Sequence, residues 1–138
     1  MIYEKITVNL LNSDNDFNKL KLHLNRVYDE GYLSKEKWIN YTVFNYIREA
    51  EKLAATSGWL EAYEFVKMAP ADIKNQRKYI QLLDSCRGNY IVTIHNRFAD
   101  LFNSGQYQEA EQILAEGLNV IPGDRTLNSD LQMIRNKK

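Results

Sequence analysis

The chain has 138 residues, of which 44% are hydrophobic, and its 18 Lys and Arg residues balance its 18 Asp and Glu residues. A chain of this length suits one domain that buries about two-thirds of its unfolded surface. The neutral charge gives no electrostatic reason to expect a nucleic-acid or anionic-membrane partner, and no apolar run approaches the ~20 residues that span a bilayer. We therefore expect no nucleic-acid partner and no membrane insertion.

Two further features bear on the compartment. The first residues, MIYEKITVNLLNSDND, lack the basic start, long apolar core and small-residue cleavage site of a secretory signal. Cys86 is the single cysteine, so an intramolecular disulfide is excluded and a reducing compartment is favoured. We expect a cytoplasmic protein in which Cys86 is a small buried hydrophobic residue.

The composition favours helix almost throughout, because only two prolines and six glycines interrupt the chain. A short opening segment, Tyr3 to Leu11, is predicted as an amphipathic helix, although an extended strand fits it equally well. The polar run from Ser13 to Asp16 supplies capping side chains for the next helix, which ends at Gly31. Its apolar residues recur at helical spacing: Phe17, Leu20, Leu24, Val27 and Tyr28.

Ser34 is predicted to cap a longer helix that reaches Thr56. Its apolar stripe consists of Ile39, Val43, Tyr46, Ile47, Ala50, Leu53 and Ala54. Trp38, Tyr41 and Phe44 lie off that stripe. A helix that is apolar on more than one side is either central in the bundle or exposes an aromatic patch, and we favour the central position.

Two shorter helices follow. Ser57 and Gly58 interrupt the long helix, and a helix from Trp59 to Ala69 is predicted to end before Pro70. The next helix is predicted from Asp72 to Cys86. Its inward residues are expected to be Ile73, Tyr79, Ile80, Leu82 and Leu83. Gly88 and Asn89 are expected to separate it from the helix that follows.

The stretch from Ile91 to Asp124 is 34 residues long and reads IVTIHNRFADLFNSGQYQEAEQILAEGLNVIPGD. Two apolar helices are expected around Gly105, because glycine readily adopts the positive φ that ends one helix and reverses the chain. Ala110 and Gly117 lack bulk, so they allow helix axes to approach closely. Pro122 disfavours helical geometry at the residue before it, so the second helix must end there.

This stretch resembles the tetratricopeptide repeat, whose unit has the same length. The small and aromatic markers of that family fall on Gly105, Tyr107, Ala110, Leu114, Gly117 and Pro122, with Glu109 beside Ala110. The first helix departs from the pattern, because Phe98 stands where the family prefers Gly or Ala, and Ile94 stands at the aromatic position. A shorter echo, GWLEAYEFVKMAP, places Glu61 and Ala62 like Glu109 and Ala110. Whether residues 43–70 form a true second repeat stays open.

The resemblance implies an all-α fold: a TPR-like helical repeat of αα-hairpins, right-handed, with about seven helices in a single domain, residues 1–138. The sequence then divides into N-terminal helices (1–33), a degenerate repeat (34–70), a linking helix (71–90), the clear unit (91–124) and a capping helix (125–138). In this last segment Leu127, Leu131 and Ile134 share one side, as in the solvating helix that caps such arrays.

The resemblance also implies a non-catalytic protein-interaction module or scaffold, because members of the family bind peptides or helices along the first helices of their units. The positions facing that surface are Val92, His95, Ala99, Phe102 and Asn103, our candidate partner-binding residues. The family's carboxylate clamp needs Lys, Arg and Asn across several units. Only Asn103 and the neighbouring Arg97 fit it, so a chaperone-tail adaptor is not expected.

Three alternatives remain open. The mostly apolar candidate surface is as well suited to covering the chain's own N-terminal helices as to binding a partner. A homodimer formed through the N-terminal helices or through Trp38, Tyr41 and Phe44 would make the protein a self-associating structural domain. The third alternative is that the chain is the soluble part of a larger protein.

An enzyme is not expected. The two histidines, His23 and His95, have no neighbour at zinc-site spacing, and Cys86 would act as a nucleophile only if a histidine came close to it. Gly-rich phosphate loops are absent. Asp14, Asp16 and Asn18 match the first ligands of a calcium loop, but its glycine and closing glutamate are missing. We therefore expect no catalytic residues, no metal and no cofactor.

Overall fold

The computed structural model describes residues 16–137, and within that range the chain is all-α, as predicted, without a strand. The six α-helices are α1 (Phe17–Asp29), α2 (Lys35–Thr56), α3 (Trp59–Lys67), α4 (Arg77–Asn103), α5 (Tyr107–Val120) and α6 (Arg125–Arg135), and a 3₁₀ turn covers Ala71–Ile73. The opening segment predicted from Tyr3 to Leu11 lies outside the described residues. No described helix combines the length and apolar character needed to cross a membrane.

The chain divides into two compact units, one up to Ser85 and one from Cys86 onward. The first unit contains α1, α2, α3 and the start of α4. The second contains the rest of α4 together with α5 and α6. Each unit has its own buried residues.

The first two helices begin at the predicted caps. The Asn18 backbone N–H donates to Asp16 Oδ1 at 2.7 Å, and the Lys37 backbone N–H donates to Ser34 Oγ at 3.2 Å. Each bond satisfies one of the backbone donors that the first turn of a helix leaves unpaired. Both helix starts are therefore fixed by local sequence.

Trp38 joins α2 to α1. Its indole stacks on Tyr28 with ring centroids 5.0 Å apart, and its Nε1–H donates to Asn25 Oδ1 at 3.0 Å. The ring is buried together with Leu20, Leu24, Val27 and Leu33. The buried indole is thus both packed and hydrogen-bonded, which a large amphipathic side chain requires inside a protein.

A second aromatic cluster centres on Phe17. Its ring meets Tyr46 and Phe65 edge-on, with both centroid distances at 4.9 Å. The Phe17 carbonyl accepts a 3.2 Å hydrogen bond from Asn45 Nδ2, and Tyr79 Oη–H donates to the Val66 carbonyl at 2.8 Å. Ring contacts and buried polar bonds therefore tie α1, α2, α3 and the start of α4 together.

A central position of α2 predicts that Trp38, Tyr41 and Phe44 are all covered, and only part of that set is. Trp38 is buried and Tyr41 is half-buried against the same cluster, whereas Phe44 is 46% exposed. Ile80 also differs from its prediction, because it is 45% exposed instead of inward. The predicted register started at Asp72, but the 3₁₀ turn delays α4 until Arg77 and turns Ile80 outward.

The prediction of a helix break at Gly88 and Asn89 is wrong, because α4 runs without interruption from Arg77 to Asn103. A glycine inside a helix costs only about 1 kcal/mol relative to alanine. Cys86 and Tyr90 are both buried on this stretch of α4. Their packing outweighs the weak local preference for a turn.

The turn between α4 and α5 forms as predicted. Gly105 has φ +79°, and the next residue, Gln106, donates its backbone N–H to the Leu101 carbonyl at 2.9 Å. This bond is the hallmark of the Schellman motif, which a residue at positive φ makes possible. Pro122 acts as predicted too, because α5 ends at Val120.

Gly117 of α5 lies where side chains of two other helices of the second unit come close to its backbone. A Cβ placed there would lie 2.8 Å from Leu127 Cδ1 of α6 and 3.0 Å from Ile94 Cγ2 of α4. Leu127 is fully buried and Ile94 is 4% exposed. The predicted close approach of helices at Gly117 is confirmed, with α4 and α6 both reaching the same point.

Two glycine substitutions separate packing from helix propensity. Gly88 and Gly117 both lie inside helices, but a Cβ at Gly88 meets nothing within 4 Å. Gly88→Ala is expected to raise the free energy of unfolding by about 0.5–1 kcal/mol. Gly117→Ala is expected to lower it by about 1–2 kcal/mol, because overpacking costs about 1–3 kcal/mol. Urea unfolding followed by circular dichroism measures both, and equal stabilisation by the two changes would contradict the close contact.

Candidate functional site

All five predicted partner-binding residues lie on the second-unit part of α4. From Val92 to Asn103 the helix rises about 16 Å. Val92 is 54% exposed, Asn103 is exposed and Ala99 is half-buried. These three residues are open to a partner, whereas His95 and Phe102 take part in contacts within the unit.

His95 is paired with a buried carboxylate. Its Nδ1 lies 2.6 Å from Asp130 Oδ2 of α6, and the Asp130 side chain is 7% exposed while that of His95 is 42% exposed. An ionised carboxylate only accepts hydrogen bonds, so Nδ1 carries the proton and donates it. The second ring nitrogen, Nε2, is then the one that remains for a ligand.

Asp130 therefore fixes both the tautomer and the orientation of the imidazole. In neutral His95 a protonated Nδ1 makes Nε2 an acceptor, and the imidazolium form would offer a second donor instead. The same carboxylate-to-imidazole arrangement orients histidines in metal sites and hydrolases. Here it gives the exposed face of α4 one polar group of fixed direction.

Phe102 belongs to an aromatic row that links α4 to α5. Its ring centroid lies 5.5 Å from that of Phe98 and 5.4 Å from that of Tyr107. Phe98 is 2% exposed and Phe102 is half-buried. Phe102 thus supports the turn around Gly105, and only part of its ring is open to a partner.

Asp130 is the site residue that sequence reasoning missed. It lies three residues after Leu127 and four before Ile134, both fully buried, so it falls on the apolar side of α6. An acidic residue in a buried register position needs a partner. That spacing was a usable signal, but nothing in the sequence singled out His95 as the partner.

The surroundings of Cys86 and His23, the other residues weighed as catalytic or metal-binding groups, do not activate them for chemistry. Burial raises the pKa of the Cys86 thiol, which reduces the thiolate fraction at neutral pH. Burial and the nearby Arg26 charge lower the pKa of His23. Among residues 16–137 no three His, Cys, Asp or Glu side chains are grouped so that they could hold a metal ion.

The comparisons with known proteins give no relative. No family model matches the chain, and no curated protein or solved structure matches it either.

A double-mutant cycle tests the His95–Asp130 pair. His95→Ala leaves a buried carboxylate without its hydrogen-bond donor, so we expect a loss of about 1–3 kcal/mol in the free energy of unfolding. The same change made in an Asp130→Ala background is expected to cost much less, with a coupling energy of about 0.5–3 kcal/mol. Urea unfolding of the four proteins measures this, and additive effects would show that the pair contributes nothing.

Cys86 provides a check on the enzyme alternative. Because burial both shields the sulfur and raises its pKa, alkylation by iodoacetamide at pH 8 should be far slower in the native protein than in urea. Mass spectrometry of timed samples gives both rates. A native rate equal to or above that of the unfolded thiol would instead identify Cys86 as an activated nucleophile.

Proposed function

We propose that this protein is a non-catalytic interaction module that binds a helix or peptide of a partner protein along the second-unit part of α4. The observation that carries the proposal is the partly exposed His95 imidazole, held by the buried Asp130 carboxylate beside the exposed side chain of Val92. A partner segment would bury Val92 and accept or donate one hydrogen bond at His95 Nε2.

The burial of Asp130 supports a role for His95 beyond packing. Removing a carboxylate from water costs free energy, and a buried ion pair often stabilises a protein less than apolar residues of the same volume. Asp130 gains a bond to a side chain that is itself 42% exposed. The pair therefore stabilises the protein less than apolar residues would, but it holds the partly exposed imidazole in one direction. An imidazole of fixed orientation loses less conformational entropy when a partner binds it.

The neighbouring residues fit the same use. Ala99 is small and half-buried, so a partner backbone can approach α4 there. Asn103 is exposed and offers an amide donor and acceptor near the end of the helix. Val92 provides apolar area at the other end. An apolar contact flanked by oriented polar groups is the usual composition of a helix-binding surface.

The proposal includes a TPR-like repeat character, which two hairpins support. Gly58 has φ +105° between α2 and α3, as Gly105 has φ +79° between α4 and α5. A fully buried alanine lies in the first half of the helix after each glycine: Ala62 in α3, four residues after Gly58, and Ala110 in α5, five residues after Gly105. The two hairpins thus use the same turn residue and the same small packing residue. A cytoplasmic location, suited to the free thiol of Cys86, is part of the proposal.

Matched variants test the binding surface. Val92→Asp should abolish capture of a partner from source-cell lysate, because it places a charge in the buried contact. Leu22→Asp is the control, since Leu22 is 70% exposed on α1 of the other unit. Circular dichroism should show both variants folded. Proteins retained by wild type and by Leu22→Asp but lost by Val92→Asp are the expected partners.

The same experiment distinguishes the alternatives. If Val92→Asp retains every protein that wild type retains, the α4 surface is not the binding site. If nothing is captured and light scattering gives a dimer, self-association replaces the proposal. In that case Val92→Asp tells whether the dimer uses α4, because a charge at a symmetric contact is repeated on both copies.

A further inference from the structure

The first unit contains a groove that the surface around His95 does not involve. Its volume is about 500 Å³, and it lies between α2 and the start of α4. The residues that line it are Asn40, Val43, Phe44 and Ile47 on one side and Gln76, Arg77 and Lys78 on the other. Phe44 is 46% exposed in this groove. The α2 wall is therefore mostly apolar, and the α4 wall is polar and positively charged.

The positively charged wall lies at a helix N-terminus, where acidic residues are usually preferred. Arg77 and Lys78 are the first two residues of α4, and the first turn of that helix has no acidic residue. The N-terminus of a helix carries a partial positive charge, so cations there are unfavourable and anions are favourable. Neither Arg77 nor Lys78 forms an ion pair with a residue of the described chain, and the groove lining contains no acidic residue. No acidic side chain among residues 16–137 therefore compensates the positive charge at this place.

We propose that this groove binds an acidic amphipathic segment of a partner protein. An aromatic or branched aliphatic side chain of the segment packs on Phe44 and Ile47, where it removes the exposed phenyl ring from water. Its flanking carboxylates pair with Arg77 and Lys78 and face the positive end of α4. Charge-assisted hydrogen bonds of this kind are about twice as strong as neutral ones.

Concavity and charge favour a peptide over other anionic partners. A groove of this volume lies within the range of sites that enclose a few side chains. Two cations are few for an anionic membrane surface, which recruits clusters of about 4–8 basic residues. They are also few for nucleic acid, whose affinity arises from many phosphate contacts. The exposed phenyl ring between the helices adds an apolar requirement that a peptide side chain meets.

Arg48 belongs to the same region. Its guanidinium carbon lies 6.0 Å from the centre of the Phe44 ring, a cation–π geometry. The ring thus has a cationic neighbour, lines the groove and is still 46% exposed. A bound aromatic side chain would complete the packing around Phe44 without displacing a buried residue.

The test is a selection from a display library of random linear peptides on the full chain. Binders that survive depletion against an Arg77→Glu, Lys78→Glu double variant are expected to combine several Asp or Glu residues with an aromatic or branched aliphatic residue. Their affinities are then measured by fluorescence anisotropy of labelled peptides. We expect the double variant and Phe44→Ser each to weaken binding at least about ten-fold.

Matched controls keep the result interpretable. Lys19→Glu combined with Arg125→Glu makes the same change in charge in the first turns of α1 and α6, and Leu22→Ser removes an exposed apolar residue on α1. These should leave binding unchanged. Arg77→Glu and Lys78→Glu place acids at a helix N-terminus, so the melting temperature should rise while binding is lost. Misfolding is thereby excluded as the cause.

Other outcomes overturn the proposal. An enriched peptide set without acidic residues, or affinities that the groove variants do not change, would show that the groove is not the site. Binding to phosphatidylglycerol vesicles or to a single-stranded oligonucleotide in preference to the selected peptides would assign the positive wall to a different partner. Failure to enrich any peptide would remove the groove as a docking surface. The surface around His95 is untouched by each of these results, because it lies on different residues.

Discussion

The second unit depends on the absence of a side chain at Gly117. Because a Cβ there would reach both Leu127 and Ile94, α5 brings α4 and α6 to one point. His95 directly follows Ile94 in the chain, and Asp130 lies three residues after Leu127. The contact at Gly117 therefore sets the separation at which the imidazole meets the carboxylate. A packing constraint in the core thus determines the geometry of a polar group on the surface.

Local sequence predicted those features that depend on one or two residues. The caps at Asp16 and Ser34 and the turn at Gly105 follow from hydrogen bonding and backbone sterics, so they needed no tertiary information. The break at Gly88 failed because helix propensity is a weak preference, and neighbouring buried residues decided the outcome. The outward position of Ile80 has a different cause. A 3₁₀ turn precedes α4 and sets the register of the helix, and the spacing of apolar residues does not predict such a turn.

The candidate site was predictable only in part. Helical spacing was enough to place Val92, Ala99 and Asn103 on an accessible face. It was not enough to recognise that His95 is engaged by α6, because that contact joins residues 35 positions apart. Polar residues on the buried side of a helix are the general difficulty. Asn45 is buried like the core around it, yet it donates a hydrogen bond to the Phe17 carbonyl, which the periodicity of apolar residues cannot detect.

The position of Trp38 has a consequence for spectroscopy. The chain contains two tryptophans, Trp38 and Trp59, and both precede Ser85. Intrinsic tryptophan emission therefore monitors the first unit alone, while the helical signal in the far ultraviolet averages over both. Trp38 is buried against Tyr28, so its emission should shift to longer wavelength when that unit opens. Coincidence of the two optical transitions would then indicate cooperative unfolding of the whole chain, and a separation would resolve the units as independent folding bodies.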